Sequence, residues 1–345
     1  MQPSQASSNN LVFLTGATGF LGAYMAEYLL NQGYRIKALR RESSNIQSLP
    51  ARLQQEIEWV EGSLHDLPWL ETALADADYI IHAAAKVSFQ PSDKAELYNS
   101  NVIATANLVN TCIALQNKGQ KISKLVFISS VAALGRNRNS QIIDEETKWE
   151  ESGLNSWYGK TKYLSELEVW RAHSEGLPVV VVNPSVILGP GDINGSSTTM
   201  FRYALKSGKY YTSGTANYVD VRDVAQLAIQ LMQSDITGER FVLNAGSISY
   251  LQLFSEMAGR FGSKAPSVKA GKFMSGLAWR ASRIASLFTG KKPFITRETA
   301  QSAQSSYTYS SNKLLATIPF QFRSLEETLD WACKELLVKT ASSQK

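Results

Sequence analysis

A glycine-rich turn close to the start of the chain constrains its fold more than any other feature. The apolar run Leu11–Thr15 predicts a buried strand, and the segment TGATGFLG at residues 15–22 follows it directly. Its glycines, Gly16, Gly19 and Gly22, permit backbone angles that other residues avoid and a close approach of the main chain to a ligand. The apolar pattern that follows predicts a helix, whose free N–H groups and positive dipole end would face an anion. The segment therefore predicts a binding site for a pyrophosphate.

Apolar runs alternate with helical patterns along most of the chain. Long helices are predicted at Lys94–Leu115 and Tyr158–His173. Six further strands are predicted, at Tyr34–Leu39, Ile57–Val60, Tyr79–His82, Leu125–Ile128, Val179–Asn183 and Phe241–Asn244. These strands are almost wholly apolar, which is typical of a parallel sheet covered by helices on both faces. We therefore expect an α/β protein with a Rossmann-type doubly wound parallel sheet and a smaller C-terminal substrate-binding lobe.

The same alternation divides the chain into three parts. The polar segment at residues 1–10 predicts a disordered N-terminus. A nucleotide-binding domain is expected over residues 11–190, with later returns of the chain near residues 215–245. A loop-like stretch rich in Gly, Ser and Thr begins at residue 189, and residues 191–340 are expected to form mainly the substrate-binding lobe.

Composition argues against several classes of protein. The 35 basic and 30 acidic residues give a formal net charge of +5 without a dense basic block, so no nucleic-acid partner is expected. No apolar run is long enough to span a membrane, and residues 1–10 lack the features of a signal peptide. The two cysteines and three histidines form neither a disulfide framework nor a metal-binding pattern, so no metal is expected. These observations indicate a protein of the reducing cytoplasm.

The residue that ends the second strand bears on the nucleotide that binds. A free ribose 2′-hydroxyl is usually held by an acidic residue about 20 positions beyond the glycine turn. Here Arg40 stands 18 residues after Gly22, and the next acid after it is Glu42. A guanidinium suits a 2′-phosphate and cannot accept a hydrogen bond from a hydroxyl. We therefore expect NADP rather than NAD, although Arg40 and Arg41 could also be a solvated pair on a loop.

Two polar motifs predict a reacting centre. Tyr158 and Lys162 form a YxxxK pair at the start of a predicted helix, where the spacing of four places both side chains on one face. A phenol can exchange a proton with a carbonyl or alcohol oxygen, and a nearby ammonium lowers the pKa of the phenol. Ser129 and Ser130 follow the apolar strand ending at Ile128, where open α/β sheets bind ligands. A hydroxyl there could bind the same oxygen, so we expect a Ser–Tyr–Lys triad.

With these motifs the chain resembles a known superfamily. The segments that carry the resemblance are TGATGFLG, IHAAA (81–85), FISSVAALG (127–135), YGKTK (158–162), NPSVILGPGD (183–192) and YVDVRDVA (218–225). They are similar to those of the extended short-chain dehydrogenase/reductases, and within that superfamily to the NAD-dependent epimerase/dehydratase family. The arginine after the second strand and the segment PFITRETAQSAQSSYTYSSNKL resemble the dihydroflavonol-reductase-like branch.

The resemblance implies a role for each matching residue. Ser130, rather than Ser129, aligns with the catalytic hydroxyl, Tyr158 with the acid/base, and Lys162 with a residue that also grips the nicotinamide ribose. Asn101 matches a helix residue of the family, and we assign it a structural role. The residues expected to bind the cofactor are Gly16, Thr18, Gly19, Phe20 and Leu21 at the pyrophosphate, Arg40 at the 2′-phosphate, Ser63 and Leu64 at the adenine, Ala83, Ala84 and Ala85 behind the ribose with His82 pointing elsewhere, Tyr158 and Lys162, and Pro184 and Val186 at the nicotinamide.

One segment departs from the family pattern. In relatives, the Asp of a Gly-Asp-Leu motif often accepts a hydrogen bond from the adenine amino group. Here the stretch is Gly62-Ser63-Leu64, and the nearest acid downstream is Asp66. We therefore expect Ser63 or the backbone to contact the adenine.

Three functions fit these residues. The first is reduction of a carbonyl, or oxidation of an alcohol, on a small organic substrate by hydride transfer with NADP(H) and Tyr158 as acid/base. The alternative is a nucleotide-sugar epimerase, which shares the fold and the triad. A sugar dehydratase is disfavoured because Val131 and Ala132, and not an Asp-Glu pair, follow Ser130. The second alternative is a non-catalytic cofactor-binding regulator, which would be expected to have lost one of the triad residues.

Two further features concern partners. In relatives the two long predicted helices pack in a four-helix interface, so a homodimer is expected. The basic amphipathic stretch Lys272–Leu287 could lie on a membrane surface. We favour a helix that packs on the substrate-binding lobe, because the rest of the chain has the character of a soluble protein.

Overall fold

A computed structural model describes residues 10–136, 142–192, 198–289 and 296–342 of the chain. The predicted disordered N-terminus, apart from residue 10, lies outside these ranges. The strands within them are β1 Leu11–Thr15, β2 Arg35–Arg40, β3 Glu58–Glu61, β4 Tyr79–His82, β5 Lys124–Ile128, β6 Ile142–Ile143, β7 Val179–Pro184, β8 Val186–Leu188, β9 Tyr210–Tyr211, β10 Thr215–Asp220, β11 Glu239–Leu243, β12 Gly246–Ser249, β13 Val268–Lys269 and β14 Thr308–Tyr309. The α-helices are α1 Phe20–Asn31, α2 Ala51–Glu56, α3 Leu67–Leu74, α4 Lys94–Leu97, α5 Ala104–Asn117, α6 Trp157–Ser174, α7 Thr199–Leu205, α8 Val221–Gln233, α9 Tyr250–Phe261, α10 Lys272–Thr289, α11 Arg297–Ser302, α12 Asn312–Thr317 and α13 Leu325–Ser342.

Seven of these strands form one parallel sheet in the order β11-β7-β5-β4-β1-β2-β3. The seven strands predicted from the sequence all lie in it, which confirms the Rossmann-type doubly wound sheet. The strand order reverses at β1, because β2 and β3 extend the sheet on one side and β4 begins the other side. Ligands of open α/β sheets bind at the carboxyl ends of the strands beside such a reversal, so the loops after β1 and β4 are the expected nucleotide site.

Apolar side chains cover both faces of this sheet, because successive strand residues point to opposite faces. Val12 and Leu14 of β1 pack on one face in a core that includes Met25 of α1 and Val224 of α8. Phe13 packs on the other face, in a core shared with α3, α5 and α6. Burial on both faces explains why these strands are continuous apolar runs without alternation.

The smaller lobe is built around a three-stranded sheet in the order β12-β10-β8. Its core joins α7, α9 and α13 through residues such as Phe201, Met257 and Leu336. Strand β10 lies in the segment where the sequence predicts a return of the chain to the nucleotide-binding domain, and it pairs with β8 and β12 of the smaller sheet. In the same segment, α8 packs in the core of the large sheet and β11 pairs with β7. Asp223 of α8 is paired with Arg323, two residues before α13, and this pair ties the two lobes together.

The helix predicted at Lys94–Leu115 is continuous but not uniform. A π-helical turn, Tyr98–Ile103, joins α4 to α5. Asn101 is buried in this turn, and its Nδ2 donates to the carbonyl oxygen of Lys86 and to Thr161 Oγ1, at 3.0 Å each. Its Oδ1 accepts from the Lys86 amide at 2.8 Å. Asn101 thus clamps the loop after β4 to helix α6, which is the geometry of a structural residue.

Helix α10 contains the basic amphipathic stretch. Phe273 and Leu277 are 81% and 52% exposed. Ser275, on the other side of the helix, is buried and accepts a hydrogen bond from Gln304 Nε2 at 2.9 Å. The first turns of α10 are therefore attached to the smaller lobe while part of their apolar surface faces outward. The side chains of residues 283–287 lie outside the described part of the structure.

The described part of the chain also bears on membranes, metals and thiols. None of its helices is long and apolar enough to cross a membrane. No group of three or more His, Cys, Asp or Glu side chains in these ranges is arranged to hold a metal ion. Cys112 and Cys333 are buried and unbonded, and burial raises the pKa of each thiol to about 12. Both thiols therefore stay protonated and unreactive at neutral pH.

Candidate active site

Close backbone contacts shape the glycine turn between β1 and α1. Gly16 has a φ of +79°, and a Cβ on it would lie 2.7 Å from the amide nitrogen of Ala84. A Cβ on Gly22 would lie 2.0 Å from the carbonyl oxygen of Gly16. Both distances exclude a side chain, so α1 packs directly on the turn and the turn packs directly on the loop after β4.

Helix α1 begins at this turn without a side-chain cap. Its N-cap is the exposed Gly19, and no side chain in the described part of the chain caps the first N–H groups of the helix. Thr18, beside it, is half-buried. The N–H groups and the positive end of the helix dipole are therefore available to an anion. This is the arrangement of an anion site at a helix N-terminus.

Phe20 and Leu21, also predicted at the pyrophosphate, point their side chains away from the turn. A Cβ on Gly191 would lie 2.8 Å from the Phe20 ring, so that ring packs on the loop after β8. Tyr24, one turn later, donates to the carbonyl oxygen of Pro190 at 2.9 Å. Leu21 packs on the core. What these two residues offer to a pyrophosphate is therefore their backbone N–H groups.

Behind the turn, a chain of buried hydrogen bonds holds the end of β4. The Ala84 amide donates to Thr15 Oγ1 at 3.1 Å, and Thr15 Oγ1 lies 2.7 Å from His82 Nδ1. His82 Nε2 lies 3.0 Å from Thr105 Oγ1, whose own proton goes to a carbonyl oxygen of its helix. The Nε2–H group of His82 must therefore donate to Thr105, and Nδ1 must accept from Thr15. Burial, reinforced by the charge of Lys162, lowers the pKa of His82 to about 3, so the ring is neutral.

The hydrogen bonds of His82 also fix the loop that follows β4. His82 points into the protein, as expected from the resemblance. Ala83 and Ala84 are half-buried against Gly16, and Ala85 is exposed. Small side chains are needed here because the backbone of the glycine turn passes within contact distance.

Arg40 ends β2 at the same edge of the sheet. Its side chain is 30% exposed, and its Nη2 lies 2.8 Å from Oε2 of Glu61, the residue opposite it on β3. Arg41 is exposed. The Arg40 guanidinium is therefore accessible to a phosphate but already has a carboxylate beside it.

The segment after β3 contains Ser63, at the position where relatives often have an Asp that binds the adenine. A Cβ on Gly62 would lie 2.1 Å from the ring of Trp69, so this ring covers Gly62. Ser63 Oγ accepts a hydrogen bond from a nearby amide at 3.2 Å, which leaves its hydroxyl proton to donate. Leu64 is buried in the core. Asp66 caps α3, because its Oδ1 accepts from the Trp69 amide at 3.2 Å. The nearest acid is thus engaged as a helix cap.

Ser130 and Tyr158 meet where α6 begins. Ser130 follows β5 and caps a 3₁₀ turn, Val131–Leu134, by accepting from the Ala132 amide at 3.2 Å. A Cβ on Gly159 would lie 2.7 Å from the Ala132 carbonyl oxygen, so the glycine lets α6 approach this turn. The Ser130 hydroxyl lies near the Tyr158 phenol and acts to lower its pKa. The expected pair of hydroxyls is therefore brought together.

The pKa of the phenol differs from the expectation. The YxxxK spacing predicts that the Lys162 ammonium lowers the pKa of Tyr158 toward neutrality. Burial instead raises it to about 12, and the nearby Ser130 hydroxyl offsets only part of this effect. The expectation is wrong, because the cost of burying the phenolate outweighs the stabilising groups around it.

Lys162 lies one turn further along α6 and is 2% exposed. Its ammonium donates to the carbonyl oxygen of Ile128 at 2.8 Å and lies 4.2 Å from the centroid of the Phe127 ring. Burial lowers the pKa of this ammonium to about 7, while Glu166 acts in the opposite direction. Among the described residues, only one hydrogen bond uses its three N–H groups, so two N–H groups remain to donate to a ligand.

Sequence reasoning missed a buried polar cluster behind the triad. Glu166 is 1% exposed, its Oε1 accepts from Asn183 Nδ2 at 2.6 Å, and its Oε2 lies 3.4 Å from Arg240 Nη1. Burial raises the pKa of Glu166, and neighbouring donors and cations oppose it. The Ser129 hydroxyl, which is also buried, is among the groups that act to lower the pKa of this carboxyl. Ser130, and not Ser129, is therefore the hydroxyl at the phenol.

The predicted nicotinamide contacts lie between β7 and β8. Pro184 is buried at the end of β7, and the following Ser185 amide donates to the carbonyl oxygen of Leu243 at 3.0 Å. Val186 begins β8 and is 38% exposed. An apolar surface is thus presented at the carboxyl edge of the sheet.

The predicted residues gather at one edge of the sheet and fit a dinucleotide. Each of the following ends or follows a strand of the large sheet, at its carboxyl end: Gly16, Arg40, Ser63, Ala83, Ser130 and Pro184. The close-packed glycine turn and the uncapped α1 suit a pyrophosphate. The buried ammonium of Lys162, with two N–H groups remaining, suits the hydroxyls of a ribose. These residues would hold a nicotinamide dinucleotide.

Comparison with known proteins identifies the family. A model of the NAD dependent epimerase/dehydratase family matches residues 12–246, which is more than half of the chain. The chain belongs to this family. The resemblance inferred from the motifs is confirmed, and so is the prediction of an NAD(P)-dependent enzyme.

Relatives extend the comparison beyond the matched residues. The chain is 32% identical to a putative dihydroflavonol 4-reductase of Synechocystis over 92% of each chain. It is 27% identical to cinnamoyl-CoA reductase 1 of Petunia hybrida, over 68% of this chain and 72% of that protein. The crystal structure of gox2253 is similar with a TM-score of 0.80 and 27% identity, covering 96% of this chain and 99% of that one. The similarity therefore includes the smaller lobe.

Proposed function

We propose that the protein is a carbonyl reductase that uses NADPH, with Ser130, Tyr158 and Lys162 at the reacting centre. The observation that carries the proposal is the placement of the Ser130 hydroxyl near the Tyr158 phenol, at the start of the helix that also carries the buried Lys162 ammonium. Relatives named as reductases, at 32% and 27% identity, support reduction as the chemistry.

In this proposal two hydroxyls converge on the substrate oxygen. The carbonyl oxygen accepts hydrogen bonds from Tyr158 and Ser130, which draws electron density from the carbon and stabilises the charge that develops on the oxygen. NADPH supplies the hydride when bound. Tyr158 gives its proton to the oxygen, and a phenol with a pKa of about 12 is fully protonated at neutral pH. That protonation state favours reduction over oxidation.

Lys162 and the glycine turn serve binding in the proposal. The remaining N–H groups of Lys162 donate to ribose hydroxyls, and the first amides of α1 donate to the pyrophosphate. Holding the reactants in one geometry removes much of the entropic barrier to the reaction.

The test is an NADPH-oxidation screen across ketones, aldehydes and nucleotide sugars, followed by variants. Tyr158→Phe should abolish turnover and leave NADPH binding nearly intact, because only the proton donor is lost. Ser130→Ala should cost about 10²–10³-fold in kcat, the scale for one donor to the oxygen. Lys162→Ala should reduce both turnover and cofactor affinity. The matched control is Tyr163→Phe on the same helix, where the ring stacks on Trp149 at 4.6 Å, and it should retain full activity.

The outcomes separate the three candidate functions. Near-normal turnover by Tyr158→Phe on a verified substrate would overturn the proposed mechanism. Interconversion of nucleotide sugars without net NADPH oxidation would identify an epimerase. NADPH binding without turnover of any compound in the screen would favour a regulator.

We infer a preference for NADPH from Arg40. The Arg40–Glu61 pair is partly exposed and contributes on the order of 0–1 kcal/mol, so a phosphate can compete for the guanidinium. In fluorescence titrations, Arg40→Asp should reverse the preference, and Glu61→Gln should strengthen NADPH binding by up to about fivefold without a matching gain for NADH. Equal or tighter binding of NADH by the wild type would contradict the inference.

We propose that the protein is a homodimer formed through α5 and α6. Leu167 of α6 is 44% exposed although it is a large apolar residue, which fits a face covered by a second copy. Light scattering at micromolar concentration should give the mass of a dimer, and Leu167→Glu should give that of a monomer. A monomeric wild type would contradict the proposal.

We also propose that the protein works in the cytoplasm. The two unbonded cysteines suit a reducing compartment. Cell fractionation with immunodetection tests this, and recovery outside the cytoplasmic fraction would contradict it.

A further inference from the structure

A cavity of about 90 Å³ adjoins the reacting centre, between the carboxyl ends of β5 and β7 and the smaller lobe. Its lining includes Val131, next to Ser130 in the chain, and Val186, predicted at the nicotinamide. Tyr250 and Tyr307 line it as well. A cavity of this size suits a small polar group of a substrate rather than a whole nucleotide.

Arg136 is the only charged side chain among the described residues that line this cavity. Its Nη1 donates to Ser302 Oγ at 3.0 Å, and its Cζ lies 5.7 Å from the centroid of the Tyr307 ring. Neither of these described partners is an acid. A guanidinium has five N–H donors, so most of them are left for a ligand. A cation that faces a cavity without a carboxylate favours an anionic ligand there.

Two buried hydroxyls line the same cavity. Ser185 is 7% exposed and Tyr309 is 5% exposed. Within the described residues, neither hydroxyl has a hydrogen-bond partner. A buried polar atom left without a partner costs about 1–3 kcal/mol, so both hydroxyls are expected to bond to a ligand or to water in the cavity. Together with Arg136 they supply the donors that an oxoanion requires.

We propose that this cavity binds a carboxylate of the substrate through Arg136, so that the substrate is a small carbonyl acid. The proposal rests on the reductase function proposed above and names its substrate class. The planar guanidinium matches a carboxylate with two parallel hydrogen bonds, and the hydroxyls of Ser185 and Tyr309 add further donors. Ser130 and Arg136 lie six residues apart on one segment. That segment would hold the reacting carbonyl at one end and the carboxylate at the other.

The first test compares acids with their amides. NADPH oxidation is measured with pyruvate, acetoacetate and levulinate, which differ in the spacing of carbonyl and carboxylate, and with the corresponding amides. At least one acid should have a kcat/KM about tenfold or more above that of its amide, the scale for hydrogen bonds to a charged group. In Arg136→Gln this ratio should fall to about one. Arg35→Gln removes the same charge at the start of β2, at the opposite edge of the sheet, and should keep the wild-type ratio.

The second test needs no turnover. Phenylglyoxal modifies accessible guanidinium groups, and the rate of modification of Arg136 is followed by mass spectrometry with Arg35 as the internal reference. At least one of the three acids should slow the reaction at Arg136, the amides should not, and neither should protect Arg35. Stronger protection by inorganic phosphate than by any of the acids would overturn the assignment of a carboxylate.

The two tests fail in different ways. Turnover of neutral ketones with equal kcat/KM for acids and amides, and without protection of Arg136, would overturn the carboxylate site and leave the reductase function in place. Protection of Arg136 by acids, without turnover of any carbonyl compound, would support the site and overturn the reductase function.

Discussion

Replacing Gly159 with alanine tests how closely the start of α6 must approach the turn that carries Ser130. The added Cβ would lie 2.7 Å from the carbonyl oxygen of Ala132, whereas ordinary van der Waals contact begins at 3.4 Å. The atom it meets belongs to the backbone and cannot swing away. Helix and turn must therefore separate by about 0.7 Å, the difference between the two distances.

A separation of this size changes the distance between the hydroxyls of Ser130 and Tyr158, because the two residues stand on opposite sides of the contact. Misplacing a reacting group by about 1 Å can cost on the order of 10²-fold in rate, so we expect kcat to fall about 10- to 100-fold. The free energy of unfolding should fall by only about 0–2 kcal/mol. Overpacking costs about 1–3 kcal/mol, and replacing a helical glycine by alanine recovers up to about 1 kcal/mol.

The assay measures kcat with the substrate found in the screen and the free energy of unfolding in urea. The matched control is Gly259→Ala in α9, where an added Cβ meets nothing within 4 Å. That variant should gain up to about 1 kcal/mol in unfolding free energy and keep its kcat. A folded Gly159→Ala protein with wild-type kcat would refute the claim that this close approach positions the phenol.

Three further predictions follow from buried ionisable groups. The pKa of Lys162 is lowered to about 7, so the ammonium proposed to bind the ribose is present below that pH and is lost above it. The kcat/KM for NADPH should therefore fall as the pH rises through about 7. A flat pH profile up to pH 9 would contradict this. The pKa of His82 is lowered from 6.5 to about 3, so the unfolded chain takes up its proton first as pH falls. The unfolding free energy should therefore drop by about 2–3 kcal/mol between pH 6.5 and 4.5, and His82→Asn should remove that slope. Lys124 donates to the carbonyl oxygens of Leu231 and Ser234 at the end of α8, and Lys124→Met should cost about 1.5–3 kcal/mol in urea unfolding without changing kcat.

The sheet could be predicted from the sequence because burial on both faces leaves an unmistakable pattern. Runs such as Val179–Asn183 contain no polar residue until their end, and a half-exposed strand or a surface helix would not produce them. The glycine turn was equally predictable, since Gly16 and Gly22 stand where a side chain has no room. The sequence could predict that Ser130 and Tyr158 meet. It could not predict how close they come, because that distance depends on Gly159, whose contact with the Ala132 carbonyl oxygen is visible only in the structure.

The features that could not be predicted depend on register or burial over long sequence distances. The Arg40–Glu61 pair exists because β2 and β3 align these two residues, and neither strand reveals that alignment by itself. Glu166 stands four residues after Lys162 and, in the sequence, resembles an ordinary solvated helix residue. In the structure it is 1% exposed, because Asn183 of β7 and Arg240 of β11 contact its carboxylate. The raised pKa of the Tyr158 phenol could not be predicted for the same reason. The YxxxK spacing shows that Lys162 is near, but it does not show how deeply the phenol is buried.

In the proposed function, the segment at the end of β5 and after it combines catalysis and substrate selection in one short piece of chain. The Ile128 carbonyl oxygen accepts from the Lys162 ammonium, the Ser130 hydroxyl lies near the phenol, and Arg136 lines the cavity. These contacts share one backbone, so a substitution that shifts the segment should change rate and substrate preference together. A change confined to the Arg136 side chain should alter preference alone. Selectivity can therefore be redirected at the end of the segment, while its beginning must keep the geometry that the hydride transfer requires.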